Sequence, residues 1–137
     1  MSVIPYLHFQ GDCARAMQFY AEVFGATDLR MMRYAEAPQA MPEWKDSDRV
    51  MHGQMTLGDG VLMASDFPPG QGDPQQAVSV MFTAADAATA RRVHDRLAEG
   101  GAEIMPFGPT FFSPGFGMVK DRFGTHWMIS APMPKPA

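Results

Sequence analysis

The chain repeats one pattern of apolar and polar positions in its two halves. Residues 3–9 and 78–83 are rich in the β-branched and aromatic residues that favour strands. Residues 12–24 and 86–99 follow them, with apolar positions at helical spacing. Further strand-like runs come after each helix. A repeated strand–helix–strands unit predicts a duplicated fold, and we expect the two copies to enclose a shared cleft.

Both predicted helices have an apolar stripe and recognisable ends. The stripe of the first helix consists of Cys13, Ala16, Met17, Tyr20 and Val23, and that of the second includes Ala90, Val93 and Leu97. Asp12 and Asp86 are the predicted N-caps, because an aspartate side chain accepts hydrogen bonds from the free amides of a first helical turn. Gly25 and the pair Gly100 and Gly101 are the predicted helix stops.

The remaining strands complete each half. They are predicted at residues 27–35, 50–57, 61–66, 102–106 and 124–131, with one more ending at Lys120, and Asp59–Gly60 signals a hairpin. The order of elements is therefore βαβββ twice. This order predicts the α+β class, in which two βαβββ modules form a curled mixed sheet around a cleft and each helix covers one face of its own strands.

A length of 137 residues favours a single domain. Within residues 1–137 we expect modules at about 1–66 and 76–131, joined by a linker at 67–75 that is rich in proline and glycine. The tail, residues 132–137, contains prolines that cannot continue a sheet, so it is predicted to fray.

Charge and cysteine content exclude several functional classes. The net charge of −4 argues against a nucleic-acid partner, and the sequence has neither a basic run for a membrane surface nor an apolar run long enough to span one. Cys13 is the single cysteine, which excludes an intrachain disulfide and fits a reducing compartment. No signal peptide is visible. We therefore expect a cytoplasmic protein.

The motifs of the chain resemble one known family over nearly its whole length. The similar segments are Pro5–Ala16 with Phe19–Tyr20 and Phe24–Ala26, then Met51–Gly53 and Leu62–Asp66, and finally Leu97, Gly100–Gly101, Asp121–Gly124 and Trp127. Together they resemble the PhnB-like group of the vicinal oxygen chelate superfamily, which includes glyoxalases, bleomycin-resistance proteins and dioxygenases. The resemblance implies paired βαβββ modules and a homodimer. In metal-dependent members it also implies a divalent ion held by His, Glu or Gln.

The four metal-ligand positions that the resemblance implies carry other residues here. They fall on Pro5 (or Tyr6 after a shift of one residue), Ala64, Ser79 and Met128. None of these side chains is an imidazole or carboxylate donor of the kind that zinc, iron or manganese sites use. We therefore expect no family-type metal and no cofactor. The group also bears the name of a ubiquinone-pathway methyltransferase, but the sequence has no glycine-rich cofactor loop after a strand to support that activity.

Strand alternation predicts which side chains line the cleft. The expected ligand-binding residues are His52, Gln54, Thr56, Asp66, Ser79, Met81, Phe116, Met118, His126 and Met128. Tyr6, His8 and Trp127 are expected to face the helix layers instead. Cys13 is expected in the core, and His94 is expected to be structural or exposed. Trp44 either covers a pocket or partner surface, or packs back onto its own chain.

These positions leave three functional hypotheses open. The first is a metal-free protein that binds a small, largely apolar molecule in a cleft lined by methionine and aromatic residues. The second is an enzyme in which His52 and His126, oriented by Asp66, perform acid–base chemistry or hold a relocated metal. The alternative to this second hypothesis is that His52 and His126 have no catalytic role, and that each satisfies a local backbone group or lies at the mouth of the cleft. The third is an interaction module that acts through its dimer surface.

Overall fold

The computed structural model describes residues 1–37 and 41–132. Beyond Pro132, the predicted frayed tail therefore lies outside the described residues. Backbone contacts divide the chain into two compact units, Met1–Gln75 and Gln76–Ala137. Of the helices in the described ranges, none has the length and hydrophobicity needed to cross a membrane.

The first unit is a four-stranded sheet with one helix. Its elements are β1 (Tyr6–Phe9), α1 (Cys13–Phe24), β2 (Thr27–Arg33), β3 (Val50–Leu57) and β4 (Gly60–Asp66), with short 3₁₀ turns at Tyr34–Glu36 and Pro42–Trp44. The strand order is β1-β4-β3-β2. The pair β1–β4 is parallel and the other two pairs are antiparallel, so the sheet is mixed.

The second unit repeats this plan. Its elements are β5 (Ser79–Thr83), α2 (Ala87–Ala98), β6 (Ala102–Gly108), β7 (Phe116–Lys120) and β8 (His126–Ser130), in the sheet order β5-β8-β7-β6. The pair β5–β8 is parallel and the others are antiparallel. Two βαβββ modules of the α+β class are thus confirmed.

Helix α1 packs on its sheet through the predicted apolar stripe. Its buried residues are Cys13, Ala16, Met17, Tyr20 and Val23. Burial, reinforced by the nearby carboxylate of Asp66, raises the pKa of the Cys13 thiol to about 12. A neutral, enclosed thiol is a core residue and not a nucleophile, as expected from the sequence. Gly25 ends the helix in the left-handed conformation, with φ of 66°.

The predicted cap of α1 is wrong, whereas the predicted cap of α2 is confirmed. Asp86 accepts a hydrogen bond of 2.7 Å from the amide of Thr89, which lowers the pKa of this exposed carboxyl. Asp12 makes no such bond and pairs with Arg15 instead. The amide of Cys13, the first residue of α1, donates instead to Oδ1 of Asp66 (3.0 Å), which also accepts from Gly11 in the preceding turn (2.8 Å).

A bulge at the start of β3 gives Asp66 a third partner. Met32 pairs with His52, but Arg33, the next residue of β2, pairs with Val50. One extra residue therefore lies on β3, and Val50 is buried despite sharing the parity of His52. The amide of Val50 donates to Oδ2 of Asp66 at 2.9 Å. The buried carboxylate therefore joins β4, the β1–α1 turn and the start of β3.

The predicted orientations of β1 and β4 are wrong by one residue. Leu7 and Phe9 are buried, while Tyr6 and His8 are exposed. Ala64, expected in the cleft, is fully buried and pairs with Leu7. The physical reason lies in the sequence pattern: Tyr6 and Leu7 are both apolar, and β4 is apolar without interruption from residue 61 to 64, so alternation does not reveal the buried face.

The alternation predicted for the second sheet is confirmed. Trp127 and Ile129 of β8 are buried on the helix side, and the indole N–H of Trp127 donates to Asp121 at 2.8 Å. His126 and Met128 have the opposite orientation. The register pairs them with Ser79 and Met81 of β5.

The segment 67–75, expected to be a simple linker, packs on the first unit. Phe67 stacks on His8 with ring centroids 4.6 Å apart. The Gln10 amide donates to the carbonyl of Gly72 at 2.9 Å, and Arg49 donates to the carbonyl of Phe67 at 2.9 Å. A Cβ atom on Gly72 would lie 2.0 Å from the Phe67 ring, so glycine is required for this close approach.

Replacing the buried carboxylate tests its role in folding. We expect Asp66→Asn to lower the free energy of unfolding by roughly 2–4 kcal/mol, because three backbone amides lose a charged acceptor and an amide N–H is buried against them. Asp12→Asn is the matched control. It removes an exposed ion pair and is expected to change the free energy by no more than about 0.5 kcal/mol. Urea denaturation of both variants provides the comparison, and equal losses would contradict the assignment.

Candidate functional site

One face of the first sheet is free of the helix. We call it the first open face, and the strand register assigns it Tyr6, His8, Arg30, Met32, His52, Gln54, Thr56, Val61, Met63 and Ser65. The register aligns Arg30, Gln54, Met63 and Tyr6 in one row across all four strands. The face thus brings polar groups and methionine side chains together, with Leu7, Phe9 and Ala64 buried on the opposite side.

A hydrogen-bonded chain crosses this face. The Tyr6 hydroxyl lies 2.9 Å from Nδ1 of His52, and Nε2 of His52 lies 3.0 Å from Oε1 of Gln54. Because a carbonyl oxygen can only accept, Nε2 carries the proton and donates to Gln54. Nδ1 is hydrogen-bonded to the Tyr6 hydroxyl. The predicted site residues His52 and Gln54 are therefore held together by a direct hydrogen bond.

An aromatic stack borders the same chain. The rings of Tyr6 and His8 are 5.1 Å apart and close to parallel, and Phe67 covers the other side of His8. Nδ1 of His8 lies 3.2 Å from the Ser65 hydroxyl. These contacts immobilise the rings and present a largely apolar wall beside His52.

A depression lies between β2 and β3 at the outer part of this face. Its volume is about 280 Å³, and it is lined by Arg30, Met31, Met32, His52 and Gln54. That volume is near the lower limit of the roughly 300–1,000 Å³ typical of drug-sized ligand sites. The depression therefore fits a small molecule or one part of a larger one.

The second sheet has a comparable face, which we call the second open face. It carries the remaining predicted site residues, Ser79, Met81, Phe116, Met118, His126 and Met128, together with Lys120 and Ser130. Met81 and Ser79 are exposed. Phe116 is buried and makes an edge-to-face contact with Phe112, whose ring centroid is 5.0 Å away.

Asp66 does not lie on either open face. It was expected to orient the two histidines, but only 1 % of its surface is exposed and its carboxylate accepts from three backbone amides. His52 is oriented by Tyr6 and Gln54 instead. The cause of this error is the same shift that put Ala64 on the wrong side of β4.

Two further expectations are resolved by local contacts. His94 is fully buried and its Nε2–H donates to Oε2 of Glu103 at 2.8 Å, so it is structural. Trp44 packs back onto its own unit, with its ring 4.9 Å from that of Tyr34. The Tyr34 hydroxyl in turn donates to the backbone carbonyl of Asp66 at 2.7 Å.

The donor chemistry does not fit a metal site of the superfamily type. On the first open face, the side chains of β1 and β4 offer a phenol (Tyr6), a thioether (Met63), a hydroxyl (Ser65) and one imidazole (His8). No group of three or more His, Cys, Asp or Glu side chains suitable for an ion occurs in residues 1–37 and 41–132. One imidazole beside these weaker donors falls short of the three or four imidazole, thiolate or carboxylate ligands that zinc, iron and manganese sites use.

The sequence did not identify Tyr6, Arg30 or Met32 as site residues. The sequence of β2 contained the information, because Leu29 and Met31 alternate with Arg30 and Met32 and so lie on the opposite face of the strand. In β1, the apolar pair Leu7 and Phe9 indicates the buried face, which places Tyr6 on the opposite one. These two patterns became decisive only once the register had joined β2, β3 and β1 across β4.

Comparisons with known proteins identify relatives along the whole chain. The family described as 3-demethylubiquinone-9 3-methyltransferase matches residues 1–130. The crystal structure of protein PA1353 from Pseudomonas aeruginosa is 35% identical, with 96% of this chain and 97% of that chain covered and a TM-score of 0.86. Sequence and structure therefore agree over nearly the full length.

Two more distant structures relate the fold to a wider group. A Bacillus cereus protein described as a putative 3-demethylubiquinone-9 3-methyltransferase, PhnB protein, is 24% identical over 96% of this chain and 100% of that chain, with a TM-score of 0.72. A glyoxylase/bleomycin resistance protein/dioxygenase domain from Frankia is 14% identical over 96% and 90%, with a TM-score of 0.64. At these identities the likeness concerns the fold, which is that of the glyoxalase and bleomycin-resistance proteins.

Proposed function

The chain belongs to the PhnB-like family described as 3-demethylubiquinone-9 3-methyltransferase, and we propose that it is a metal-free protein that binds a small, largely apolar molecule. The observation that carries the proposal is the depression of about 280 Å³ on the first open face, where the side chain of Met32 lies beside the bonded pair His52 and Gln54. Flexible thioether side chains accommodate varied apolar shapes, and a few fixed polar groups orient the ligand.

Methyl transfer is not part of this proposal, despite the family description. The connection between β1 and α1 is Gln10–Gly11–Asp12 and contains a single glycine. Glycine-rich loops that hold a nucleotide-like cofactor need several glycines between a strand and a helix. Supporting chemistry for a metal centre is equally weak, because the donors of β1 and β4 on the first open face are a phenol, a thioether, a hydroxyl and one imidazole.

An apolar probe tests the proposal directly. We expect the neutral dye Nile red to bind the protein, and Met32→Gln to weaken that binding about fivefold, since a partly buried methionine contributes roughly 1 kcal/mol of apolar contact. Met41→Gln is the matched control, because Met41 is similarly exposed (47%, against 40% for Met32) but lies in a loop. Fluorescence titration measures the three affinities.

The other residues that the sequence predicted for ligand binding can be tested in the same Nile red titration. We propose that these residues also contribute to binding: Thr56 on the first open face, and Ser79, Met81, Phe116, Met118, His126 and Met128 on the second. Met128→Gln is expected to weaken Nile red binding. The binding proposal fails if Nile red and a calorimetric screen of small molecules reveal no ligand with better than millimolar affinity.

A second candidate function is enzymatic and is favoured by one contact. The Tyr6 hydroxyl and Gln54 orient the His52 ring, and an oriented imidazole can act as a general base or bind a metal when one of these two bonds is exchanged. In this alternative His52 and His126 perform acid–base chemistry or bind an ion away from the superfamily positions. Asp66 is not available for it, because its carboxylate is held by backbone amides.

Metal analysis of the purified protein separates the two functions. The binding proposal predicts substoichiometric zinc, manganese and iron in the wild type. Stoichiometric metal that disappears in His52→Ala, but persists in the matched variant Thr56→Ala on the same strand face, would establish the alternative. Elemental mass spectrometry of the three proteins is the measurement.

We also propose a homodimer in the cytoplasm. The dimer follows from resemblance to the superfamily, and the location from the single cysteine. Light scattering is expected to give the mass of two 15.1 kDa chains. A monomer mass at micromolar concentration, or recovery in the secreted fraction of cells, would contradict the respective statement.

A further inference from the structure

Arg30 occupies the edge of the depression in a row with uncharged side chains. Its register partner is Gln54, which is followed across the sheet by Met63 and Tyr6. None of the side chains that the register assigns to the first open face in the described residues is a carboxylate. Arg30 is therefore aligned with an amide, a thioether and a phenol across the sheet, and none of these side chains carries a negative charge that could neutralise the guanidinium.

Several other arginines of the protein have defined partners. Arg15 pairs with Asp12, Arg33 lies 4.0 Å from Glu36, Arg49 donates to the carbonyl of Phe67, and Arg91 lies over the Phe107 ring at 5.1 Å. Within residues 1–37 and 41–132, no hydrogen bond or ion pair holds the Arg30 guanidinium. Its five N–H donors remain available to a ligand.

The second donor in the depression is fixed by His52. Oε1 of Gln54 accepts from Nε2 of His52 at 3.0 Å, which fixes the amide and leaves its NH₂ group as a donor. Both ring nitrogens of His52 are hydrogen-bonded, Nε2 to Gln54 and Nδ1 to Tyr6. The donors that remain available in the depression are the guanidinium of Arg30 and the amide NH₂ of Gln54.

We infer that the ligand of this site carries an anionic oxygen group, a carboxylate or a phosphate, bound by Arg30 and Gln54, with its apolar part against Met32. The inference rests on the proposed function and names the chemical class of its ligand. A planar guanidinium matches two oxygens of a carboxylate or phosphate at once, and the charge makes those bonds stronger than neutral ones. The ligand class is thus an amphiphilic organic anion.

Matched probes with one apolar chain test the inference. Octanoate, octyl phosphate and the neutral octanamide share the same apolar chain and differ in the head group. We expect at least one anion to bind about tenfold or more tightly than octanamide, because only the anions form charge-assisted bonds. The tighter of the two anions identifies the head group. Calorimetry at low ionic strength measures the affinities.

Two arginine variants show where the head group binds. Arg30→Gln is expected to reduce the affinity for the preferred anion about tenfold, to the level of octanamide, and to leave octanamide unaffected. Arg33→Gln removes a charge from the same strand and is expected to leave all three affinities unchanged. Arg30→Lys retains the charge without the planar fork and is expected to fall between wild type and Arg30→Gln.

The outcomes separate this inference from the proposed function. If octanamide binds as tightly as both anions and Arg30→Gln changes nothing, the anion inference is overturned while apolar binding stands. If the anions bind tightly but Arg33→Gln weakens them as much as Arg30→Gln, the preference reflects general charge and the site assignment is overturned. If none of the three probes binds at millimolar concentration while Nile red does, the inference is overturned and apolar binding stands. If Nile red also fails to bind, both are overturned.

Discussion

The Asp66 carboxylate is the contact on which the geometry of the first unit depends. It lies at the end of β4 and accepts from the amides of Gly11, Cys13 and Val50, which belong to the β1–α1 turn, the start of α1 and the start of β3. A buried carboxylate without these donors would carry a large desolvation cost. Shifting any of these segments by one residue would remove a donor, so the carboxylate constrains the register of the sheet and the starting point of the helix.

That register decides the chemistry of the open face. With Leu7, Phe9 and Ala64 buried, Tyr6 and His8 are left on the side of His52 and Gln54. The Tyr6 hydroxyl then uses Nδ1 of His52, and Gln54 uses Nε2. This chain leaves the amide NH₂ of Gln54 beside Arg30, together with Met32 of β2. A fold shared with glyoxalases thus carries here a different set of side chains, which the register of this sheet brings together.

The sequence predicted the helices and the second sheet better than the first sheet. The stripe from Cys13 to Val23 repeats at helical spacing, so the buried face of α1 was readable, and Ser79 and Thr83 mark the polar parity of β5. In β4, residues 61–64 are all apolar, and alternation carries no information there. Asp12 is of the residue type that caps helices, but the carboxylate that binds the start of α1 is that of Asp66, which is distant in the sequence and accepts from Gly11 and Cys13.

What the sequence determined by itself is the class and order of the elements: two βαβββ modules, their helix stripes and a single buried thiol, all of which follow from local periodicity and composition. The family resemblance was readable for the same reason, since it rests on short motifs in order. The tertiary structure alone decided which side of β1 and β4 is open, which carboxylate caps α1, and that Arg30 lies beside Gln54. These depend on pairing between strands far apart in the chain, and a shift of one residue reverses every side chain of a strand.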